Sequence, residues 1–468
     1  MHMQTFPSSF VKIHPLIEYL ADSPDGSGTA KATSWSMVGP WILARCDSSS
    51  GANPFYTELP WSMGVHSPIS IDAESGKIFS APTQDWRTEL FRRLWQNRVN
   101  KPVEITRVKR SPVKNAILIN CLYPWWGDAI SLLWRINQLN LLELSTAGIG
   151  IIAIIHPDLQ WLLPPEVDEA WIVPFKDLNA NQWNETCDLK IHDLVASLDS
   201  CYIPRLFQPT RATPEQVKAY TGISPFPRNK WIDRLIDKPV VTFLYRPDRC
   251  WGAHHVLINR ILRALPIFPV FLRRRIVQVI DKYLLIQQKS NIVHLANTLR
   301  KIFGEIEFAI AGTSTEVSFP GWFIDIRSDN PGVESNRASA LQCSRSHLLI
   351  SLAGSHMVLP SAFAGGVICL LPYPNWVDVQ TCWMLTTSDP CEAQFLYQTL
   401  SIKNSPEEVA ELAATTLLNY PIQHLAYHQS FSHSLSSDEV NQIRSVNKKR
   451  HLLIKKISKW VSIEGLRC

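Results

Sequence analysis

The stretch from Ser346 to Pro372, SHLLISLAGSHMVLPSAFAGGVICLLP, restricts the fold more than any other part of the chain. Leu348 to Leu352 is a mostly apolar run of strand length, followed by the small-residue turn Ala353-Gly354-Ser355-His356. Met357 to Ala364 has the length of a short helix, Gly365 and Gly366 end it, and Val367 to Leu371 is a second apolar run closed by Pro372. Strand, tight turn, short helix and strand make a βαβ unit, which requires a parallel sheet and a right-handed crossover. Ligands of such sheets bind beyond the carboxyl ends of the strands, where Gly354-Ser355-His356 falls. A small residue there lets backbone approach a ligand, and a helix start offers unpaired N–H groups to an anion.

The same alternation occurs in two series. In the first, Ala116 to Leu122 is apolar except for Asn120, and Ala129 to Leu142 carries Leu132, Leu133, Ile136 and Leu139 at helical spacing. Gly150 to Ile155 and Ala170 to Val173 are further strands, with a short helix at Leu159 to Leu163 between them. In the second, Pro239 to Tyr245, Ile306 to Ile310 and Trp322 to Ile326 precede the two strands of the opening stretch. A helical region from about 253 to 303, interrupted near Pro266 and Pro269, lies among them. Alternating strands and helices predict an α/β fold of two Rossmann-like domains facing a cleft. The expected boundaries are an irregular N-terminal extension over 1–110, a first domain over 111–227, a second over 228–425 and a helical tail over 426–468. Pro204, Pro209, Pro214, Pro225 and Pro227 mark the connector. Within the extension, Trp86, Leu90, Phe91 and Leu94 predict an amphipathic helix over 84–98.

Composition excludes several classes. A net charge of +5 is too mild for a nucleic-acid partner, and no basic-aromatic binding motif accompanies it. The 10 cysteines form no C-x-x-C pair and no zinc-ligand spacing, so a reduced chain without a metal site is expected. Neither GxGxxG nor GxxxxGK[ST] occurs, which disfavours a standard dinucleotide or P-loop site, and no cofactor is expected. The first residues, MHMQTFPSSFVKIHP, do not read as a signal peptide and no apolar stretch reaches ~18 residues, so a cytoplasmic chain without a membrane span is expected. The basic tail with Lys448, Lys449, Arg450, Lys455 and Lys456, and the run Arg273-Arg274-Arg275 in an apolar helix, read as solvated faces; peripheral membrane contact is the other reading. There are 17 tryptophans, enough that Trp125, Trp126, Trp251 and Trp376 fall just past predicted strands, where a flat ring can stack a base or a sugar.

The strand ends supply the candidate chemistry: Asp128, His156, Arg246, Arg249, Thr313, Arg327, Gly354, Ser355 and His356. Arg246 and Arg249 directly follow a strand, and guanidinium forks match diphosphate oxygens. Exposed loop charges are the bland alternative. His356 can donate to a phosphate or ribose oxygen, act as a general base, or be structural. Asp128 can accept an acceptor hydroxyl's proton, or cap the helix that begins at Ala129.

Tyr245-Arg246-Pro247-Asp248-Arg249, then Asn259, then LLISLAGSHMVLPSAFAGGVICLLP resemble the GT-B-fold glycosyltransferases, in particular the group of plant xylosyltransferases and O-linked N-acetylglucosaminyltransferases. The likeness covers about residues 240 to 376. It implies a nucleotide sugar bound mainly by the C-terminal domain, with Arg246, Arg249, Asn259, Gly354 and Ser355 at the matching positions, and inverting, metal-independent transfer; Thr313 and His356 join that binding site as strand-end candidates, and the acceptor is a glycan, small molecule or protein. In this register Ala353 stands at the family's histidine, His356 at its second glycine, Leu359 at its asparagine, and Cys369 near its carboxylate. A non-catalytic member of the fold, binding a nucleotide sugar, glycan or protein partner, is the alternative. A third reading is another two-Rossmann enzyme acting on a phosphorylated substrate.

Overall fold

The computed structural model describes residues 10–24, 28–47, 53–59, 69–79, 85–123, 126–174, 183–204, 211–252, 270–314, 316–372, 383–387, 389–431, 441, 445, 448–449 and 451–452. The chain divides into two compact units, one of residues 1–211 with 219–221, the other of residues 212–218 with 222–468.

The first unit holds strands β1 (Phe10–His14), β2 (Leu20–Asp22), β3 (Thr29–Val38), β4 (Trp41–Asp47), β5 (Phe55–Glu58), β6 (Ser70–Asp72) and β7 (Ile78–Phe79). It continues with β8 (Arg98–Val99), β9 (Thr106–Lys109), β10 (Asn115–Asn120), β11 (Ile149–Ile155), β12 (Glu169–Ile172), β13 (Trp183–Asn184) and β14 (Ser200–Pro204). One sheet has the order β1-β14-β10-β11-β12-β9. Its four inner strands are parallel, and their apolar residues are buried, as expected for strands covered on both faces. Strands β1 and β9 add antiparallel edges. The exposed, charged Thr106–Lys109 edge blunts further pairing.

Residues 10–14 and 106–109, expected within an irregular extension, therefore belong to the α/β sheet. Between them, β2 to β7 form a six-stranded antiparallel sheet in sequence order. This sheet is covered by the expected amphipathic helix, Asp85–Gln96. Its Leu90, Phe91 and Leu94 pack with Val38, Trp41, Leu43 and Trp183 in one apolar cluster. Trp41, Trp183 and the adjoining Trp95 are consumed this way rather than left for ligands.

The second unit holds β15 (Val240–Tyr245), β16 (Glu307–Gly312), β17 (Ile324–Asp325), β18 (Leu348–Leu352), β19 (Gly366–Leu371) and β20 (Tyr397–Ser401). All pairs are parallel, in the order β17-β16-β15-β18-β19-β20. Counted from β15, that is the doubly wound order 3-2-1-4-5-6, whose direction reverses between β15 and β18. The expected connector contains a helix, and a second follows it. Pro214–Thr221 is a helix opened by a Thr213–Gln216 capping box, and Trp231–Asp237 is another. The helix Val270–Phe303 spans 34 residues, while the prolines at 266 and 269 lie outside the described residues. The last long helix, Pro406–Phe431, extends well beyond the periodic run that predicts it. Among the described residues, no helix is long and apolar enough to cross a membrane.

Candidate functional site

Two turns leave the second sheet side by side at its point of reversal. Strand β15 passes into Arg246-Pro247-Asp248-Arg249, and β18 passes into Ala353-Gly354-Ser355-His356. The strands are hydrogen-bonded neighbours, with Leu244 opposite Ser351, so their ends are adjacent. Crevices at such reversals are where doubly wound sheets bind ligands. The first turn is braced by the helix Val270–Phe303. Gln288 Nε2 donates to the Arg246 carbonyl at 3.3 Å, and Asn291 Nδ2 donates to the Trp251 carbonyl at 2.9 Å. Trp251 does not offer its ring to a ligand. It is fully buried, stacks on Phe243 with an interplanar angle of 9°, and donates to the Asn404 carbonyl. Trp125 and Trp376 lie outside the described residues.

Gly354 brings the two turns together. Its φ of +155° is disfavoured for side-chain-bearing residues. A Cβ at this position would lie 2.7 Å from His356 Nδ1 and 3.2 Å from Arg249 Nη2. The imidazole and the guanidinium therefore meet over the glycine. Ser351 fixes the imidazole's proton. Its hydroxyl donates to the Leu244 carbonyl at 2.8 Å, with the Leu352 carbonyl at 3.2 Å, and lies 3.1 Å from His356 Nε2. One hydroxyl has one proton, so towards His356 it accepts, and the ring carries its hydrogen on Nε2. Nδ1 then presents a lone pair, and it is buried without a partner among the described residues. Arg249 Nε is also buried without a hydrogen-bond partner among the described residues, with the Asp248 carboxylate 3.9 Å away. Burial, with the charges of Arg246 and Arg249, holds the His356 pKa well below the ordinary histidine value, so the ring is neutral. This assignment favours acceptance of a hydrogen bond by His356 over donation to a phosphate.

The two arginines are not equivalent. Arg246 donates through Nε and Nη2 to both carboxylate oxygens of Asp248, at 2.8 and 2.7 Å, so its fork is already closed. Arg249 lies 3.9 Å from the same carboxylate without a hydrogen bond to it, and its side chain is 41% exposed. Arg249 is the guanidinium available to an incoming anion. The helix after Gly354 adds little charge of its own. A 3-10 turn, Ser355–Met357, leads into the six-residue, wholly buried helix Val358–Phe363. A macrodipole that short is weak.

The remaining candidates scatter. Thr313 follows β16, where its N–H donates to the Tyr245 carbonyl at 3.2 Å and it bridges to Ser328. Gly312 before it has φ +113°, and a Cβ there would lie 2.1 Å from the Tyr245 carbonyl oxygen. Arg327 is a structural tie. It is buried and bonded to Asp325, Ser314 and Val317, and it lies over the rings of Tyr245 and Phe319. Asn259 lies outside the described residues.

Asp128 belongs to the first unit, in the first turn of the helix Trp126–Trp134 that follows β10. That helix begins before it, so Asp128 is not the N-cap expected from Ala129; it is buried and in the field of the buried Arg135. His156 accepts from the Asp158 N–H and caps the short 3-10 turn Pro157–Leu162. Ala353, Leu359 and Cys369 are all buried core residues. Sequence reasoning missed Ser351, which orients His356. Its signal was a lone hydroxyl in an otherwise apolar strand, two residues before the turn.

No protein-family model matches the chain, and no curated protein matches it. Among solved structures, the chain is similar to a glycosyl transferase family 9 protein from Veillonella parvula DSM 2008. That match has 14% identity and a TM-score of 0.36, and covers 67% of this chain and 100% of that one. It is also similar to the E. coli ADP-heptose lps heptosyltransferase II, at 11% identity and a TM-score of 0.35, covering 66% of this chain and 99% of that one. By their descriptions, neither belongs to the group that the sequence resembles. Likeness at this level assigns no residue a role.

Proposed function

We propose that the chain is a glycosyltransferase that moves a sugar from a uridine or guanosine diphosphate sugar to an acceptor hydroxyl, with inversion and without a metal ion. The observation that carries this reading is the meeting of Arg249 and His356 over Gly354 where the strand order of the second sheet reverses. Arg249 takes the diphosphate as a charge-assisted fork. His356 Nδ1, a neutral acceptor, takes a donor hydroxyl and orients it. In the reaction the acceptor oxygen forms a bond to the anomeric carbon. The carbon–oxygen bond to the diphosphate breaks, and its electron pair leaves with the diphosphate. Arg249 stabilises the charge that develops on the leaving oxygens, the role a divalent cation fills elsewhere. With its depressed basicity, His356 is a poor base, so the acceptor's proton passes to solvent rather than to the imidazole.

One observation favours a second reading, a non-catalytic binding protein of the same fold. Ala353, Leu359 and Cys369, at the positions where the resembled family carries polar groups, are packed into the core. Donor hydrolysis separates the two readings. The purified chain is expected to release nucleoside diphosphate from a uridine or guanosine diphosphate sugar, and Arg249→Ala is expected to slow release by ~100-fold or more. Binding of the donor with no release above background would support the second reading.

A further inference from the structure

One helix of the second unit carries a row of exposed apolar side chains. In the C-terminal half of Val270–Phe303, Ile292, Leu295, Ala296, Leu299 and Phe303 are buried at helical spacing. From Leu272 to Gln287 no described residue is buried, although most of that segment is apolar. Val279 is 69% exposed, Tyr283 50% and Ile286 56%. Their spacing of four and three residues places them on one stripe, which Leu272 and Ile276 extend. Arg275, Lys282 and Lys289 recur every seven residues, so they form a row along one edge of the stripe. Arg273 and Arg274 add two further cations in sequence, and Asp281 is the only acid between Val270 and Phe303. Past Ile286 the stripe continues into a groove of about 1530 Å³, where Ile286, Lys289 and Val293 face Leu235, Ile236 and Pro239.

An apolar stripe exposed in this way marks an interaction surface. The cations along its edge indicate which surface it meets. A helix with an apolar stripe and a basic flank lies in the plane of a lipid interface, its apolar side chains at the acyl boundary and its cations on the headgroups. We propose that Val270–Phe303 docks the protein on an anionic lipid surface through Val279, Tyr283 and Ile286, with Arg275, Lys282 and Lys289 on the lipid phosphates. This does not depend on the Arg249 site.

The test is flotation of the full chain with vesicles of phosphatidylcholine alone and of phosphatidylcholine mixed with an equal amount of phosphatidylglycerol. Binding is expected only to the anionic vesicles, and it should weaken as salt is raised. The triple change Arg275→Gln, Lys282→Gln and Lys289→Gln is expected to weaken binding on the order of 100-fold, given about 1 kcal/mol for each cation near such a surface. Val279→Asp should weaken it separately. Both variants alter exposed or half-buried side chains, so their melting temperatures and nucleotide responses should match the wild type. Equal binding to both vesicles, binding to neither, or binding unaffected by the triple change would overturn the proposal. So would a concentration-dependent dimer abolished by Val279→Asp, since the stripe would then belong to a second copy of the chain.

Discussion

Gly354 has no side chain because His356 and Arg249 occupy the space one would take. In Gly354→Ala the new methyl would press on His356 Nδ1 at 2.7 Å, while the backbone would be held at a disfavoured φ. The expected cost in chemical denaturation is about 1–3 kcal/mol. Affinity for a nucleoside diphosphate should fall by more than that stability loss explains, because the imidazole moves out of place; calorimetric titration of the folded variant measures it. Unchanged affinity would separate Gly354 from the site. Both ends of this contact were legible in the sequence, as an arginine after one strand and a histidine after another. Their ranking was not. Arg246 and Arg249 look alike three residues apart, and only the Asp248 carboxylate that closes the Arg246 fork distinguishes them. The His356 tautomer depends on Ser351, whose hydroxyl is committed to a carbonyl of the neighbouring strand, and a one-dimensional pattern cannot express that contact.

Strands covered on both faces announce themselves as unbroken apolar runs, so β10, β11, β15, β18 and β19 were readable to within a residue or so. Strands β14 and β20 were not. SCYIP and YQTLS mix polar and apolar residues, and their strand character comes from pairing with β10 and β19. Helix Glu185–Ala196 shows a tie between elements that the sequence also hides. Asp188 on this helix accepts the Met37 N–H of β3 at 2.6 Å and is buried. Burial pushes its carboxyl up to about 7, against the bonds from Met37 and Ser36 that lower it. The ordinary unfolded value is about 3.9. Between about pH 4 and 7 the folded chain keeps a proton that the unfolded chain has released, so this group's contribution to stability falls as pH rises through that window. Nearby His192, its pKa lowered by burial, acts in the opposite direction, because the folded ring has released a proton that the unfolded imidazole still holds below about pH 6.5. Asp188→Asn removes the titration. The variant should melt above the wild type at pH 8, with the difference shrinking towards pH 4. A difference independent of pH would show that Asp188 is ionised in the folded chain.

Across the whole chain, the alternation of strands and helices predicted two α/β units, and two units with parallel sheets are present. The strand order could not be read, because apolar runs carry no label for their neighbours. That order matters most for the proposed function, since it places the ends of β15 and β18 side by side at the reversal. The proposed function requires that this junction bind a nucleoside diphosphate through Arg249. The most direct test is the melting temperature of the full chain with uridine and guanosine diphosphates, each up to millimolar concentration. A ligand at a hundred times its dissociation constant adds ~2.7 kcal/mol to the stability of the form it binds. A rise of a few degrees is expected with at least one of the two, lost in Arg249→Ala and retained in Arg327→Lys, whose side chain serves the fold. No rise with either nucleotide, or a full rise in Arg249→Ala, would contradict it.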